Sequence, residues 1–218
     1  MGGMGERDTV LRSMHDTGLA AWFGGSLMGA VGLNGAAGQI KRRSERVAVA
    51  SNGWRRWAPV NLAAIGAHLA GASALLVNER HRVAAQRGAL AMSATKAGLT
   101  LAALGATAYA GALGMKLGKA GEVPAEGPTQ SSAETPEDVT SIQRRQRVVQ
   151  WAVPAFTGAL VAISALAGEQ QKPGSMTAGM LGRVGQLGKL GKVGMGNMGK
   201  LGTIAKPATI AKAGKLFV

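Results

Sequence analysis

Ionisable side chains inside apolar segments are the first candidates for chemistry in this sequence. His68 is the one such residue within the four long apolar segments described below. A titratable group in lipid is costly unless it faces a partner or water, so His68 is a candidate functional residue. Two interpretations stay open. His68 is either a neutral imidazole bonded to Thr107, Ser26 or a backbone carbonyl on a neighbouring helix, or a point on a transport path.

Patterns typical of enzymes and cofactor sites are missing from the sequence. The chain has 0 Cys, which excludes disulfides, thiolate nucleophiles and cysteine-held metals. Its 3 His have no familiar zinc spacing, and no phosphate-binding glycine loop occurs. His15 and His68 are expected to differ in membrane depth by roughly 15 Å, which excludes shared haem ligation. We therefore expect no catalytic residue, no metal and no cofactor.

Four apolar segments have the length of a membrane-spanning helix, about 20 residues. The chain is 46% hydrophobic but only 4% aromatic, and its 34 Gly suit helices that pack closely in lipid. Asp16 and Thr17 resemble a helix N-cap, so residues 1–16 form a separate N-terminal segment. The predicted fold class is all-α: a four-helix transmembrane bundle, up-down-up-down, occupying 17–168. Its spans are 17–37, 58–77, 97–115 and 148–168.

Small residues recur every four positions in the third span, a pattern typical of closely packed membrane helices. The ladder predicts a packing surface within the bundle, or one between two copies of the chain. Asn34 and Asn61 are further expected to bond across the first two spans. The ladder consists of Gly98, Ala102, Ala106, Ala110 and Gly114.

Two long segments lie outside the predicted spans. Residues 116–147 are rich in proline and acidic residues, so we expect a disordered loop. Residues 169–218 form a glycine-rich basic tail in which glycine recurs at every third position from Gly179 to Gly194. This period predicts a threefold extended helix rather than an α-helix, unless the tail is simply flexible.

The formal net charge of +14 predicts an anionic partner, and for a membrane protein the default is lipid headgroups. Nucleic acid is a weaker alternative because the tail lacks aromatic stacking residues apart from Phe217. Basic residues flank both membrane faces, so the positive-inside rule assigns no orientation. The candidate lipid-binding residues of the tail are Arg183, Lys189, Lys192, Lys200, Lys206, Lys212 and Lys215.

The segment "HDTGLAAWFGG", with His15, Trp22, Gly24 and Gly25, resembles the opening helix of copper-resistance D-like membrane families. The further cysteines, methionine clusters and membrane histidines of a copper or haem site are missing. The whole layout also resembles small four-helix membrane proteins of high-GC bacteria. This second resemblance implies a multi-pass protein of a bacterial plasma membrane.

Two classes of function fit these observations. The first is a non-catalytic membrane scaffold or accessory subunit, able to form homo-oligomers or a larger complex, whose basic tail engages anionic lipid or a protein partner. The second is a small carrier or channel with a path past His68.

Overall fold

A computed structural model describes residues 3–85 and 87–170, and the chain there is mostly helical. Helix α1 spans Gly3–Met28 and continues through a π-helical turn, Gly29–Leu33, into the short helix α2, Asn34–Gly38. A 3-10 turn at Arg43–Glu45 precedes helix α3, Arg46–Ala85. Helix α4 spans Arg87–Lys119 and helix α5 spans Glu137–Gln170. Between them, strands β1, Ala125–Gly127, and β2, Gln130–Ser131, form an antiparallel hairpin.

Three of these helical stretches are long and apolar enough to cross a membrane: Arg43–Asn78, Gly88–Lys119 and Glu137–Leu166. They contain the second, third and most of the fourth predicted span. The first predicted span, 17–37, is divided among α1, the π-helical turn and α2, and it is not one of the three. The four-span bundle therefore stays a prediction.

The helix N-cap predicted at Asp16 and Thr17 is wrong, because α1 already begins at Gly3. Asp16 lies inside the helix and not at its start. Its carboxylate is 2.7 Å from Nδ1 of His15. The aspartate side chain, which often caps a helix, therefore contacts the adjacent histidine inside the helix.

The predicted disorder of residues 116–147 is also wrong. Gly121, with φ 71°, adopts the left-handed conformation that ends a helix directly after α4. Val123, Ala125 and Val139 then pack with Val47 of α3 and Leu117 of α4 in a small buried cluster. Composition predicted disorder because the segment alone is too polar for a core, but α3 and α4 supply the missing apolar surface.

Polar side chains from the neighbouring helices bind the carbonyl groups of this hairpin. Arg46 donates to the carbonyl oxygens of Ala125, at 3.3 Å, and Glu126, at 2.7 Å. Gln143, which is 1% exposed, donates to the carbonyl of Gly127 at 3.1 Å. Arg147 donates to the carbonyl of Thr129 at 3.0 Å. We call residues 120–136 together with these three side chains the hairpin cap.

The described residues up to Ala167 belong to one compact unit. The predicted extended conformation of the tail and all seven of its candidate lipid-binding residues lie beyond Gln170, outside the described residues.

Candidate functional site

Helices α1 and α3 approach each other closely at two glycines. A Cβ added to Gly18 of α1 would lie 2.6 Å from the backbone nitrogen of His68. A Cβ added to Gly71 of α3 would lie 2.7 Å from the backbone nitrogen of His15. Both positions therefore require glycine, as expected for small residues at a tight helix contact. The two contacts run in opposite chain directions, so α1 and α3 are antiparallel.

This close contact brings His15 and His68 together. Their ring centroids are 4.5 Å apart and the planes are tilted by 43°. The predicted difference in depth of roughly 15 Å between the two residues is wrong. That prediction treated Asp16 as the membrane boundary, whereas α1 extends a further turn and more on either side of His15.

The imidazole of His68 is 1% exposed and has one hydrogen-bond contact. Its Nδ1 lies 3.3 Å from the backbone carbonyl oxygen of His15, which is the kind of partner expected for a structural histidine. Its Nε2 is buried and has no hydrogen-bond partner among the described residues. Thr107 and Ser26, the other partners considered, bond elsewhere. His68 therefore fits an imidazole that donates Nδ1–H to this carbonyl and has a bare Nε2.

The side chain of His15 lies between His68 and a surface carboxylate. Nδ1 of His15 lies 2.7 Å from a carboxylate oxygen of Asp16, whose side chain is 69% exposed. The side chain of His15 itself is 12% exposed. A surface carboxylate, a nearly buried imidazole and a fully buried imidazole thus follow one another into the protein.

Trp22 closes the other side of the histidine pair. Its ring is fully buried, at 0% exposure, and its centroid lies 6.1 Å from that of His68 in an edge-on arrangement. Its indole Nε1 donates to Oγ1 of Thr107 on α4 at 3.1 Å. Trp22 also packs with Ile65, Ala103 and Val153, so that residues of α1, α3, α4 and α5 meet around the indole.

A second polar connection lies near the hairpin cap. Asn34 accepts a hydrogen bond from Nε1 of Trp54 at 3.0 Å and donates to Oε1 of Gln150 at 2.8 Å. The predicted bond between Asn34 and Asn61 is not formed, and Oδ1 of Asn61 is buried with no partner among the described residues. Gly25 lies against Trp57 and Gly29 against Trp54, so in this antiparallel register Asn34 lies beside the first turns of α3 and Asn61 lies further along that helix.

The small-residue ladder of α4 is only partly covered within the chain. Ala106 packs against the Trp22 cluster, and Ala102 and Ala110 are half-buried. A Cβ added to Gly98 or Gly114 would meet no atom within 4 Å. Among the described residues, the closest glycine contacts lie between α1 and α3, and a contact between copies through the α4 ladder stays a prediction.

The described residues contain no group of three or more His, Cys, Asp or Glu able to hold a metal ion. His15 and His68 form the largest cluster of nitrogen ligands described here, and two ligands leave a tetrahedral zinc site incomplete. The geometry shows a buried imidazole nitrogen without a hydrogen-bond partner, Nε2 of His68, and no complete metal site among the described residues.

Sequence reasoning considered His15 with His68 and rejected the pair on membrane depth, although a signal for their contact is present. The spacing His-x-x-Gly occurs twice, in "HDTG" at 15–18 and in "HLAG" at 68–71. In an antiparallel helix pair each histidine then lies beside the glycine of the other motif, which is the arrangement observed. Comparison with protein-family models, curated proteins and solved structures finds no match to this chain.

Proposed function

We propose that this chain is a non-catalytic integral membrane protein of four spans that acts as a scaffold or accessory subunit. The observation that carries the proposal is the apolar outer surface of α4. Only 11% of the most apolar 18-residue stretch of this helix is buried within the chain. Leu101 is 69% exposed and Met115 is 67% exposed. Apolar surface of this extent marks contact with lipid or with another protein.

The hairpin cap supports a role in assembly. Arg43 and Arg46 form ion pairs with Glu126 at 3.0 and 3.6 Å, so the cap is held by charge pairs as well as by a small apolar cluster. This ordered polar surface at one end of the helices carries Glu122, Glu126 and Glu134 beside Arg46 and Arg147, and it is a suitable docking site for a protein segment. The basic tail adds attraction to anionic lipid, about 1 kcal/mol for each basic residue near the surface.

Tags at the two termini test the number of spans. With four spans both termini lie on the same side of the membrane, whereas the three helices identified by length and apolarity alone place them on opposite sides. Protease protection of tagged protein in sealed vesicles distinguishes the two arrangements. Termini on opposite sides would remove the first span from the proposal.

A truncation after residue 175 tests the tail. We expect the truncated chain to insert normally, because every proposed span ends before this point. A peptide of residues 176–218 is expected to sediment with anionic vesicles at low salt and to be released as salt rises. Absence of lipid binding would assign the tail to a protein partner.

The second candidate function is a small carrier or channel with a path past His68. The unpartnered Nε2 of His68 and the adjoining His15–Asp16 pair favour it. Liposomes containing the purified chain and a trapped pH indicator separate the two candidates. Proton flux that His68→Gln abolishes supports the carrier. A tight membrane, together with a stoichiometric protein partner recovered from native membranes, supports the scaffold.

A further inference from the structure

A groove of about 610 Å³ lies along the seam between α1 and α3, near the end that carries the hairpin cap. Its walls include Gly24, Gly25 and Met28 of α1 and Gly53, Arg56 and Trp57 of α3. The groove is open because a Cβ at Gly24 would meet no atom within 4 Å. The glycine at this position thus leaves unoccupied space beside the helix.

The floor of the groove is apolar and tightly packed. A Cβ added to Gly25 would collide with the indole ring of Trp57, and one added to Gly29 would collide with the ring of Trp54. The Trp57 ring therefore lies directly against the backbone of α1, and the Trp54 ring against the π-helical turn that follows it. Tryptophan prefers the headgroup level of a membrane, so the two rings place this part of the groove at the lipid–water interface.

Arg56 provides an unpaired positive charge at this groove. It is exposed and follows Gly53 by three residues, which places both on one face of α3. Among residues 3–85 and 87–170, no carboxylate lies within ion-pair distance of Arg56. By contrast, Arg42 and Arg43 pair with Glu45 and Glu126. The sequence from 46 to 78, which includes the α3 wall, contains no acidic residue.

We propose that this groove is a binding site for one anionic phospholipid. The acyl chain lies in the glycine-lined groove against Trp54 and Trp57, and the phosphate accepts hydrogen bonds from the guanidinium of Arg56. A planar guanidinium matches phosphate with two parallel hydrogen bonds. A phospholipid fits this groove better than a helix of another protein does. The positive charge of Arg56 at the membrane interface matches an anionic headgroup, and the adjoining apolar groove matches the acyl chain joined to it. The site requires only that the chain is embedded in a membrane, and it is separate from the tail.

Native mass spectrometry of the full chain tests the site. The protein is extracted into micelles that contain equal amounts of phosphatidylglycerol and phosphatidylcholine, and the retained lipid is identified after a high-salt wash. We expect one retained phosphatidylglycerol. Arg56→Gln is expected to reduce its retention by about fivefold, the effect of one basic residue at a lipid surface. Arg55→Gln is the matched control, because Arg55 donates to Asn52 at 2.9 Å and does not line the groove.

A second variant fills the groove without removing charge. Gly24→Leu is expected to prevent retention of the lipid, and its folding is checked by the unchanged thermal unfolding midpoint. Lipid bound only by the tail would be released in the salt wash, and the amount bound before the wash would not change in Gly24→Leu. Equal retention of the two lipids by the unaltered chain, or equal retention by the Arg56→Gln and Arg55→Gln variants, would overturn the proposal. Retention of a helical protein at the groove in place of lipid would also overturn it.

Discussion

The imidazole rings of His15 and His68 lie in contact across α1 and α3, with centroids 4.5 Å apart. Gly18 and Gly71 make this contact possible, because each faces the backbone beside the opposite histidine. His68 is the most buried titratable residue described in the chain. The helix contact that brings it against His15 can be tested independently of any function.

Enlarging the two glycines should separate the helices. Gly18→Ala and Gly71→Ala each place a Cβ within 2.7 Å of backbone atoms, so we expect a loss of about 1–3 kcal/mol in stability. Gly66→Ala is the matched control, since a Cβ there meets nothing within 4 Å and alanine favours a helix. Thermal unfolding in detergent measures all three. A destabilising Gly66→Ala, or a neutral Gly18→Ala, would contradict the observed contact.

The hydrogen bond between Trp22 and Thr107 should contribute measurably to the contact between α1 and α4. Trp22→Phe and Thr107→Val each remove one partner and leave the other unsatisfied, which costs about 1–3 kcal/mol. In the double variant no unpaired group remains at this contact. The double variant is therefore expected to lose less stability than the sum of the two single changes. Additive losses in this double-mutant cycle would show that the two side chains do not interact.

His68 should tolerate replacement by glutamine better than by alanine. Glutamine retains an amide donor for the carbonyl of His15, whereas alanine loses the bond and leaves a cavity beside Trp22. We expect a loss of about 2–5 kcal/mol for His68→Ala, by analogy with other buried large-to-small changes, and a smaller loss for His68→Gln. The unfolding free energy is measured for both. Equal losses would mean that the hydrogen bond and the volume of His68 make no difference.

Ala106→Leu should disturb the packing around Trp22. Ala106 is half-buried against this cluster, so the larger side chain is expected to cost about 1–3 kcal/mol. Gly98→Leu, on the same predicted ladder, meets open space and should leave the stability of the single chain unchanged. Thermal unfolding and crosslinking together report on this. Loss of a crosslinked dimer in Gly98→Leu alone would assign the outer part of the ladder to a contact between copies.

The hairpin cap should open when Arg46 loses its guanidinium. Arg46 donates to the backbone carbonyls of Ile40, Ala125 and Glu126, so Arg46→Gln leaves these groups without a donor. We expect proteases to cut within residues 120–136 at least severalfold faster. Arg43→Gln is the control, because Arg43 pairs only with the half-exposed carboxylate of Glu126. Equal protection in both variants would show that Arg46 does not hold the hairpin.

Long apolar segments determined much of the helical content of this protein. Three helices able to cross a membrane coincide with predicted spans, because the length and apolarity of a segment do not depend on what packs against it. His68 was identified by the same reasoning, since an ionisable group in an apolar run is conspicuous in any fold.

Tertiary structure decided the positions that depend on a partner helix. The hairpin of residues 125–131 is ordered because Val47 and Arg46, distant in sequence, join Leu117 of the preceding helix in providing its apolar cluster and its donors. His15 meets His68 because Gly18 and Gly71 allow two helix backbones to approach, and no local property of either segment specifies that register. Composition predicted disorder for the first, and the membrane boundary assumed at Asp16 predicted separation for the second, since both describe a segment by itself and not what lies against it.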